Sequence, residues 1–262
     1  MMEAKIRKPA VAGSFYAGDA KELRQDVQNC FSRCKNPLME NVQAVIVPHA
    51  GYVFSGVTAA SAFAAINPDA EYEHIFLLGP SHHVYLGKAS VNIGASAYAT
   101  PLGNVPVDTA LCKDLMEKSD AITYAPEAHE SEHCLEVELP FLQYHMKKIP
   151  SIVPIIIATQ ELTTLKKIAD TLKPYLNEKN LFVISSDFSH YPAYKDAEMV
   201  DGLTKDSIMT GKVEAFVNAT LHNQELGIDH LATSACGMAP IATLLMMTEN
   251  DAKIKPHHVM YC

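Results

Sequence analysis

Four short apolar runs, separated by stretches with helical periodicity, are the feature that most constrains this fold. The runs cover residues 43–47, 74–78, 152–157 and 181–184. Each run is apolar on both faces, which is typical of strands buried in a parallel sheet. Strands that alternate with helices are characteristic of layered α/β domains. The pattern therefore predicts an α/β fold with a mostly parallel sheet.

The segments around these runs carry apolar residues at helical spacing. The predicted helices cover residues 20–34, 56–66, 108–118, 131–147, 161–176, 196–221 and 237–247, and residues 258–262 are a candidate start of a final strand. No Ser/Gly-rich linker divides the chain. We therefore expect one domain over residues 1–262.

Composition and charge exclude several classes of protein. Hydrophobic residues make up 48% of the 262 residues, which is enough for a sizeable core and excludes a mainly disordered chain. The net charge of −9 argues against nucleic-acid binding, because basic residues supply most of that affinity. The apolar runs are far too short to span a bilayer. Six scattered cysteines without a CxxC pair predict a reducing, cytoplasmic setting.

Polar residues follow three of the four apolar runs. His49 comes after the first run, His82 and His83 after the second, and Asp187 and His190 after the fourth. Ligands of open α/β sheets bind at the carboxyl ends of the strands, near a switch in strand order. We therefore expect these side chains to converge from separate loops on one crevice.

A cluster of histidines of this kind suggests a metal. Two histidines with one anionic ligand and open positions are a recurring arrangement for non-haem iron. On the sequence alone, the alternative stays open that each histidine only hydrogen-bonds a loop backbone. Adjacent residues leaving a strand point to opposite sides, so one of His82 and His83 is expected at the rim.

Cys236 directly precedes the apolar stretch of the last predicted helix. Nearby backbone N–H groups are expected to lower the pKa of its thiol, which would favour a metal ligand or a nucleophile. The alternative, a small buried hydrophobic residue, is slightly favoured on general grounds. Cys30, Cys34 and Cys112 are predicted to lie in the core.

A dense acidic group precedes residues 139–141. It contains Glu130, Glu132, His133, Glu136 and Glu138. In a helix, a carboxylate one turn from His133 would orient that ring. For the glutamates we prefer the interpretation that they form an acidic first turn complementing the helix dipole. The role of His133 stays open at this point.

Five segments, in their order along the chain, resemble motifs of the Memo family. They are PAVAGSFY at residues 9–16, PHAGY at 48–52, GPSHH at 79–83, SSDFSH at 185–190 and CG at 236–237. The resemblance covers almost the whole chain, and five ordered segments make it highly specific. Prokaryotic members of the family include the B component of the AmmeMemoRadiSam system.

The resemblance implies a fold and a set of site residues. The family is similar in fold to the β subunit of class III extradiol dioxygenases, which implies a single three-layer α/β/α domain. The implied metal ligands are His49, His82 and Cys236. The implied catalytic residues are His190, His133 and Asp187. The remaining substrate-pocket residues are predicted to be Tyr52, Ser81, His83 and Glu136.

Two departures limit what the resemblance implies. The dioxygenases hold iron with two histidines and a glutamate, whereas Cys236 takes the place of the carboxylate here. Because a thiolate is softer and itself oxidisable, ring cleavage is not carried over, and we expect iron or copper, with zinc as the alternative. Family members commonly continue past Tyr261 into another strand, so this chain is expected to be truncated or simply shorter.

Three functions compete at this stage. The leading one is a metal-dependent redox enzyme acting on an unidentified small molecule or peptide. The second is a zinc-dependent hydrolase with a metal-activated water. The third is a non-enzymatic peptide-binding module, against which the lack of arginine after Arg33 argues where the peptide is phosphorylated. The resemblance also implies a radical-SAM protein as a partner; neither nucleic acid nor a membrane is expected.

Overall fold

Nine strands and eight α-helices build the protein, as seen in a computed structural model that describes residues 5–35 and 38–261. The strands are β1 (Lys5–Arg7), β2 (Ala44–Val47), β3 (His74–Pro80), β4 (Lys88–Val91), β5 (Ala95–Thr100), β6 (Gly103–Pro106), β7 (Ile122–Thr123), β8 (Ser151–Ala158) and β9 (Asn180–Ser185). The helices are α1 (Ala20–Ser32), α2 (Tyr52–Ala64), α3 (Thr109–Lys118), α4 (Leu139–His145), α5 (Leu162–Leu172), α6 (Tyr194–Met209), α7 (Val213–Glu225) and α8 (Met238–Thr248).

Six of the strands form the main sheet, in the order β2-β9-β3-β8-β4-β7. The first four are parallel to one another, and β4 runs antiparallel to β8. Helices α1, α2 and α4 contact one another. Helix α5 contacts both α3 and α8, and α8 also packs on β3 and β9. The predicted three-layer α/β/α fold with a mostly parallel sheet is confirmed. A smaller sheet has the order β1-β5-β6.

The strand order explains why polar side chains meet at one edge of the main sheet. Strand β9 lies between β2 and β3, and all three run in the same direction. Val47 pairs with Ser185 and Leu78 with Ile184, so the three strands end at nearly the same level. The loops that follow them therefore open on the same side of the molecule.

Some sequence predictions differ from the structure. The helix predicted over 131–147 is limited to Leu139–His145, and the one over 196–221 is two helices separated at Gly211, which has a φ of +67°. Residues 258–261 form no strand, and Cys262 lies outside the described residues. Cys30 and Cys112 are buried, and Cys34 packs against the same core. Within the described part of the chain, no helix has the length and apolar character needed to cross a membrane.

His129 gives the protein a pH-dependent stability. The ring is buried, with Nε2 3.0 Å from Ser90 Oγ and Nδ1 3.1 Å from the Tyr98 hydroxyl. Burial, and then the charge of Arg7, lower the pKa of His129 to about 3. Below the usual histidine pKa of about 6.5, the unfolded chain therefore takes up a proton that the folded protein does not.

We expect His129 to make the free energy of unfolding fall as the pH falls from about 6.5 towards 3, by up to about 1.4 kcal/mol per pH unit. Urea unfolding at several pH values should show a shallower fall for His129→Gln than for the unmodified protein. His258→Gln, at an exposed position, is the matched control. Equal slopes for all three proteins would contradict the prediction.

Candidate metal centre

The three predicted metal ligands lie close together at the carboxyl edge of the main sheet. His49 follows β2, His82 follows β3, and Cys236 lies just before α8. His49 Nε2 is 3.1 Å from Cys236 Sγ, and one ligand atom from each residue lies within 4.8 Å of the others. The two imidazole rings meet edge to face, with their centroids 5.1 Å apart.

Both imidazoles are held through Nδ1, which leaves Nε2 free for a metal. His49 Nδ1 is 2.7 Å from Ser185 Oγ, and His82 Nδ1 is 2.9 Å from Glu132 Oε1. Metal-binding histidines almost always use their second ring nitrogen in this way. Bond lengths of about 2.0 Å to nitrogen and 2.3 Å to sulfur place the two nitrogens and the sulfur of a tetrahedral site roughly 3.3–3.5 Å apart. The three side chains therefore fit a transition metal after small adjustments.

Glu132 is a buried anion that positions His82. Its Oε2 accepts a hydrogen bond from the His82 amide at 2.8 Å, and its Oε1 accepts from the amides of His133 and Cys134. Burial raises the pKa of Glu132, but the hydrogen bonds and charge of His82 and the backbone donors outweigh it and bring the pKa to about 2. The carboxylate is thus ionised beneath the histidine.

The interpretation of the acidic group as a dipole-complementing first helical turn is wrong. The helix begins only at Leu139, and Glu132, Glu136 and Glu138 are buried. Buried carboxylates need specific partners, since burial penalises an unpaired charge. Glu132 and Glu136 each have several such partners, whereas Glu138 contacts the Ser185 hydroxyl with one oxygen and its other oxygen has no hydrogen-bond partner among the described residues.

The thiol of Cys236 differs from the sequence prediction. Burial, followed by the nearby Asp187 carboxylate, raises its pKa to about 12, and backbone hydrogen bonds oppose this only in part. The expected lowering of the pKa at the start of α8 is therefore wrong for the metal-free protein. A coordinated metal ion deprotonates a thiol outright, so the sulfur requires a cation to become a thiolate at neutral pH.

Asp187 lies between the loops that carry His49 and His190. Its Oδ1 accepts hydrogen bonds from the amides of His49 at 2.7 Å and Ala50 at 3.1 Å. Its Oδ2 lies 3.8 Å from His49 Nε2 and 3.9 Å from His190 Nε2. The buried Nε2 of His190 has no hydrogen-bond partner among the described residues. Asp187 thus positions the β2–α2 loop and faces both rings.

His133 lies against the other two histidine rings. Its centroid is 4.7 Å from that of His82 and 5.5 Å from that of His49, and Phe15 packs on it at 4.8 Å. Burial lowers the pKa of His133, although the Glu132 carboxylate opposes this. A neutral imidazole at this place is suited to accept a proton at the edge of the cluster.

The predicted substrate-pocket residues separate into two groups. Ser81 and Cys236 line a cavity of about 600 Å³, and His83 is exposed beside Glu132 and His133. Tyr52 is buried, and its hydroxyl donates to the Val137 carbonyl at 2.7 Å. Glu136 is fully buried and accepts hydrogen bonds from Arg7 and Tyr16. Tyr52 and Glu136 therefore hold the core together, and their place in a substrate pocket stays a prediction.

A second cavity also reaches the site, at Asp187 and His190. This groove of about 1470 Å³ includes Asp187, His190 and Tyr191 in its lining, together with the exposed Phe54. Tyr191 is strongly exposed and has a φ of +70°, which is uncommon for a residue with a side chain. Two cavities therefore reach residues of the site, one at Cys236 and the other at Asp187 and His190.

Sequence reasoning missed Ser185, and it misassigned Glu132 and Glu138. Glu136 and Glu138 alternate with apolar Leu135, Val137 and Leu139, an unusual pattern for an exposed turn that could have indicated burial. Nothing local distinguishes Ser185, the last residue of β9, from other serines that end strands.

The family follows from comparison with known sequences. Residues 7–262 of this chain match the model of a family described as "Memo-like protein". This chain belongs to the Memo family. MEMO1 family proteins of Nitrosopumilus maritimus and Aeropyrum pernix are 31% and 34% identical to it, each match covering 98% of this chain and 92% of the relative. The family named from the motifs is confirmed.

Two further proteins are similar to this chain. A MEMO1 family protein of Methanopyrus kandleri is 32% identical over 92% of this chain and 86% of its own length. Among solved structures, an uncharacterized protein of Escherichia coli K12 matches 72% of this chain and 80% of its own, with 17% identity and a TM-score of 0.47.

Proposed function

We propose that this Memo-family protein is a metal-dependent oxidoreductase that binds iron or copper through His49, His82 and Cys236. The observation that carries the proposal is the convergence of two imidazole nitrogens and one sulfur within 4.8 Å. Both rings are oriented from behind through Nδ1. When bound, iron or copper would supply a redox-active Lewis acid with open positions for a substrate.

The neighbouring side chains have separate roles in this proposal. His133, whose pKa is lowered by burial, accepts a proton from a substrate on the His82 side. His190 holds or donates a proton on the other side through its unpartnered Nε2. Asp187 orients the His49 loop through Oδ1 and holds an anionic oxygen, Oδ2, between the two rings.

The size of the cavity beside Cys236 favours a small molecule over a peptide as the substrate. Its volume of about 600 Å³ lies within the usual range of roughly 300–1,000 Å³ for small-molecule sites. Ser81 supplies a hydroxyl to its lining, and Tyr85 supplies an exposed aromatic ring. A substrate with both an apolar and a hydrogen-bonding part fits this lining.

The proposal is tested by elemental analysis of anaerobically purified protein. We expect about one equivalent of iron or copper, and we expect Cys236→Ser and His49→Ala to weaken metal binding roughly 100-fold, since loss of a ligand should cost at least as much as loss of its hydrogen-bonding partner. Cys34→Ser changes a thiol on the core outside the site and is the matched control.

The alternatives are distinguished by the same preparation. Zinc as the bound metal, with turnover of an ester or amide, would replace the redox proposal by a hydrolase. Protein that binds neither iron, copper nor zinc, but binds a peptide by calorimetry, would replace both by a peptide-binding module. A radical-SAM protein remains the proposed partner on the family resemblance, and co-purification of the two tests it.

A further inference from the structure

Ser185 lies at the centre of a buried hydrogen-bonded group behind His49. Its Oγ is 2.7 Å from His49 Nδ1, 2.7 Å from the Cys134 carbonyl oxygen and 3.1 Å from Glu138 Oε1. Ser185, His49 and Glu138 are all almost completely buried. Water therefore cannot easily replace any of these partners. The polar atoms of the group have to satisfy one another by hydrogen bonds, using the protons that their own side chains carry.

The position of the Ser185 proton determines the tautomer of His49. A hydroxyl has one proton to donate and can accept two hydrogen bonds. The Cys134 carbonyl can only accept, so a 2.7 Å contact with it requires Ser185 to donate there. The hydroxyl then has no proton left for His49. The 2.7 Å contact to Nδ1 is consequently a hydrogen bond only when Nδ1 carries the proton.

The same count of donors and acceptors at Ser185 indicates that Glu138 carries a proton. With its only proton on the Cys134 carbonyl, Ser185 Oγ can interact favourably with Glu138 only as an acceptor, which requires a protonated carboxyl. Glu138 Oε2 is buried without a hydrogen-bond partner, and no ion pair of Glu138 occurs within the described ranges. An unpaired carboxylate in such surroundings would carry a large desolvation cost. Burial accordingly raises the pKa of Glu138 well above its ordinary value.

We propose that Ser185 and a protonated Glu138 form a hydrogen-bonded relay that fixes His49 as the Nδ1–H tautomer. Glu138 donates to Ser185, Ser185 donates to the Cys134 carbonyl, and His49 donates from Nδ1 to Ser185. The lone pair of His49 Nε2 then points towards Cys236 Sγ, 3.1 Å away. Ser185 and Glu138 are positioning residues for a metal ligand. Their effect on metal affinity rests on the proposed function, whereas the tautomer does not.

The tautomer and the protonated carboxyl are tested on metal-free protein. Nitrogen-15 NMR of labelled histidine, assigned with His49→Ala, should show a protonated Nδ1 and an unprotonated Nε2 in His49. Infrared spectra at neutral pH should show a protonated-carboxyl band that disappears in Glu138→Gln. A protonated Nε2, or a wild-type spectrum without that band, would overturn the relay.

Metal titration adds a functional measurement. Ser185→Ala should lower the affinity for the bound metal by about 10–100-fold, the usual effect of removing a partner of a metal-binding histidine, and should mix the His49 tautomers. Glu138→Gln should stay within about threefold of the unmodified protein, because its amide can still donate to Ser185. Ser207→Ala, another buried serine, is the control and should change neither measurement.

These measurements separate the relay from the proposed function. If unmodified protein shows the expected tautomer and carboxyl band but binds no metal, the relay stands and the metal proposal fails. If metal binds with equal affinity in Ser185→Ala and the tautomer is unchanged, the relay is overturned while the metal proposal stands. Should Ser185→Ala fold poorly, the tautomer and carboxyl-band measurements on the unmodified protein still decide whether the relay exists.

Discussion

Arg7→Ala is expected to lower the free energy of unfolding by about 3–5 kcal/mol, the usual cost of removing one partner of a buried ion pair. Arg7 is buried in β1, and its guanidinium donates to Glu136 Oε2 at 2.5 Å. It also donates to the carbonyls of His129 and Glu132 and lies over the Tyr98 ring at 4.8 Å. The variant would leave the Glu136 carboxylate buried without a cation.

The prediction has a matched control and a second readout. Arg24→Ala removes an exposed arginine from α1 and should change stability by less than about 0.5 kcal/mol. Arg7→Lys keeps the positive charge, but a lysine ammonium cannot reproduce the planar guanidinium's hydrogen bonds to three separate acceptors. This variant should therefore recover only part of the lost free energy of unfolding. Urea unfolding measures all three variants. A loss below about 1 kcal/mol for Arg7→Ala would contradict the prediction, because buried pairs cost more when broken.

Arg7 also connects the amino-terminal strand to the metal centre. Its Nη2 donates to the carbonyl of Glu132, whose carboxylate holds His82. Glu136 in turn accepts from the amides of Ala10 and Val11, in the first Memo-like segment. That segment therefore contributes to the site indirectly, by securing the loop that carries Glu132.

The main sheet was predictable because its strands are apolar on both faces. All four predicted runs are strands, and three of them are neighbours whose carboxyl ends bring His49, His82 and Asp187 together. Strand β7 has only two residues, and β4 carries the polar Lys88 and Ser90, so neither stands out as an uninterrupted apolar run. They form because β8 offers β4 a pairing edge, which is a tertiary effect.

The parts of the site that could not be predicted depend on contacts distant in sequence. Glu132 and Glu138 look like exposed acids until the sheet buries them against His82 and Ser185. Cys236 follows no strand, so the rule for strand ends does not select it, and only the resemblance did. The pKa of Cys236 was predicted to be lowered but is raised, because the N–H groups at the start of a helix can be inferred from the sequence whereas burial of the thiol cannot.

Gly237→Ala is expected to displace Cys236 and to lower the free energy of unfolding by about 3 kcal/mol, the upper part of the usual range for overpacking. A Cβ at Gly237 would lie 2.4 Å from Ser186 Cβ and 2.6 Å from the Ser185 carbonyl oxygen. Its φ of −87° is accessible to alanine, so the obstacle is steric rather than torsional. Because Cys236 adjoins this contact, metal affinity should fall with stability.

Gly202→Ala separates this steric effect from the general effect of adding a methyl group. Gly202 lies within α6 and has open space around its Cβ position, so alanine there should stabilise the protein by about 0.5–1 kcal/mol and leave metal binding unchanged.

Combining Gly237→Ala with Ser186→Gly removes the closest clash but leaves the Ser185 carbonyl in place. The double variant should therefore recover part, not all, of the loss, which a double-mutant cycle detects as non-additivity. Additive losses would contradict a steric origin of the Gly237→Ala effect in the contact with Ser186.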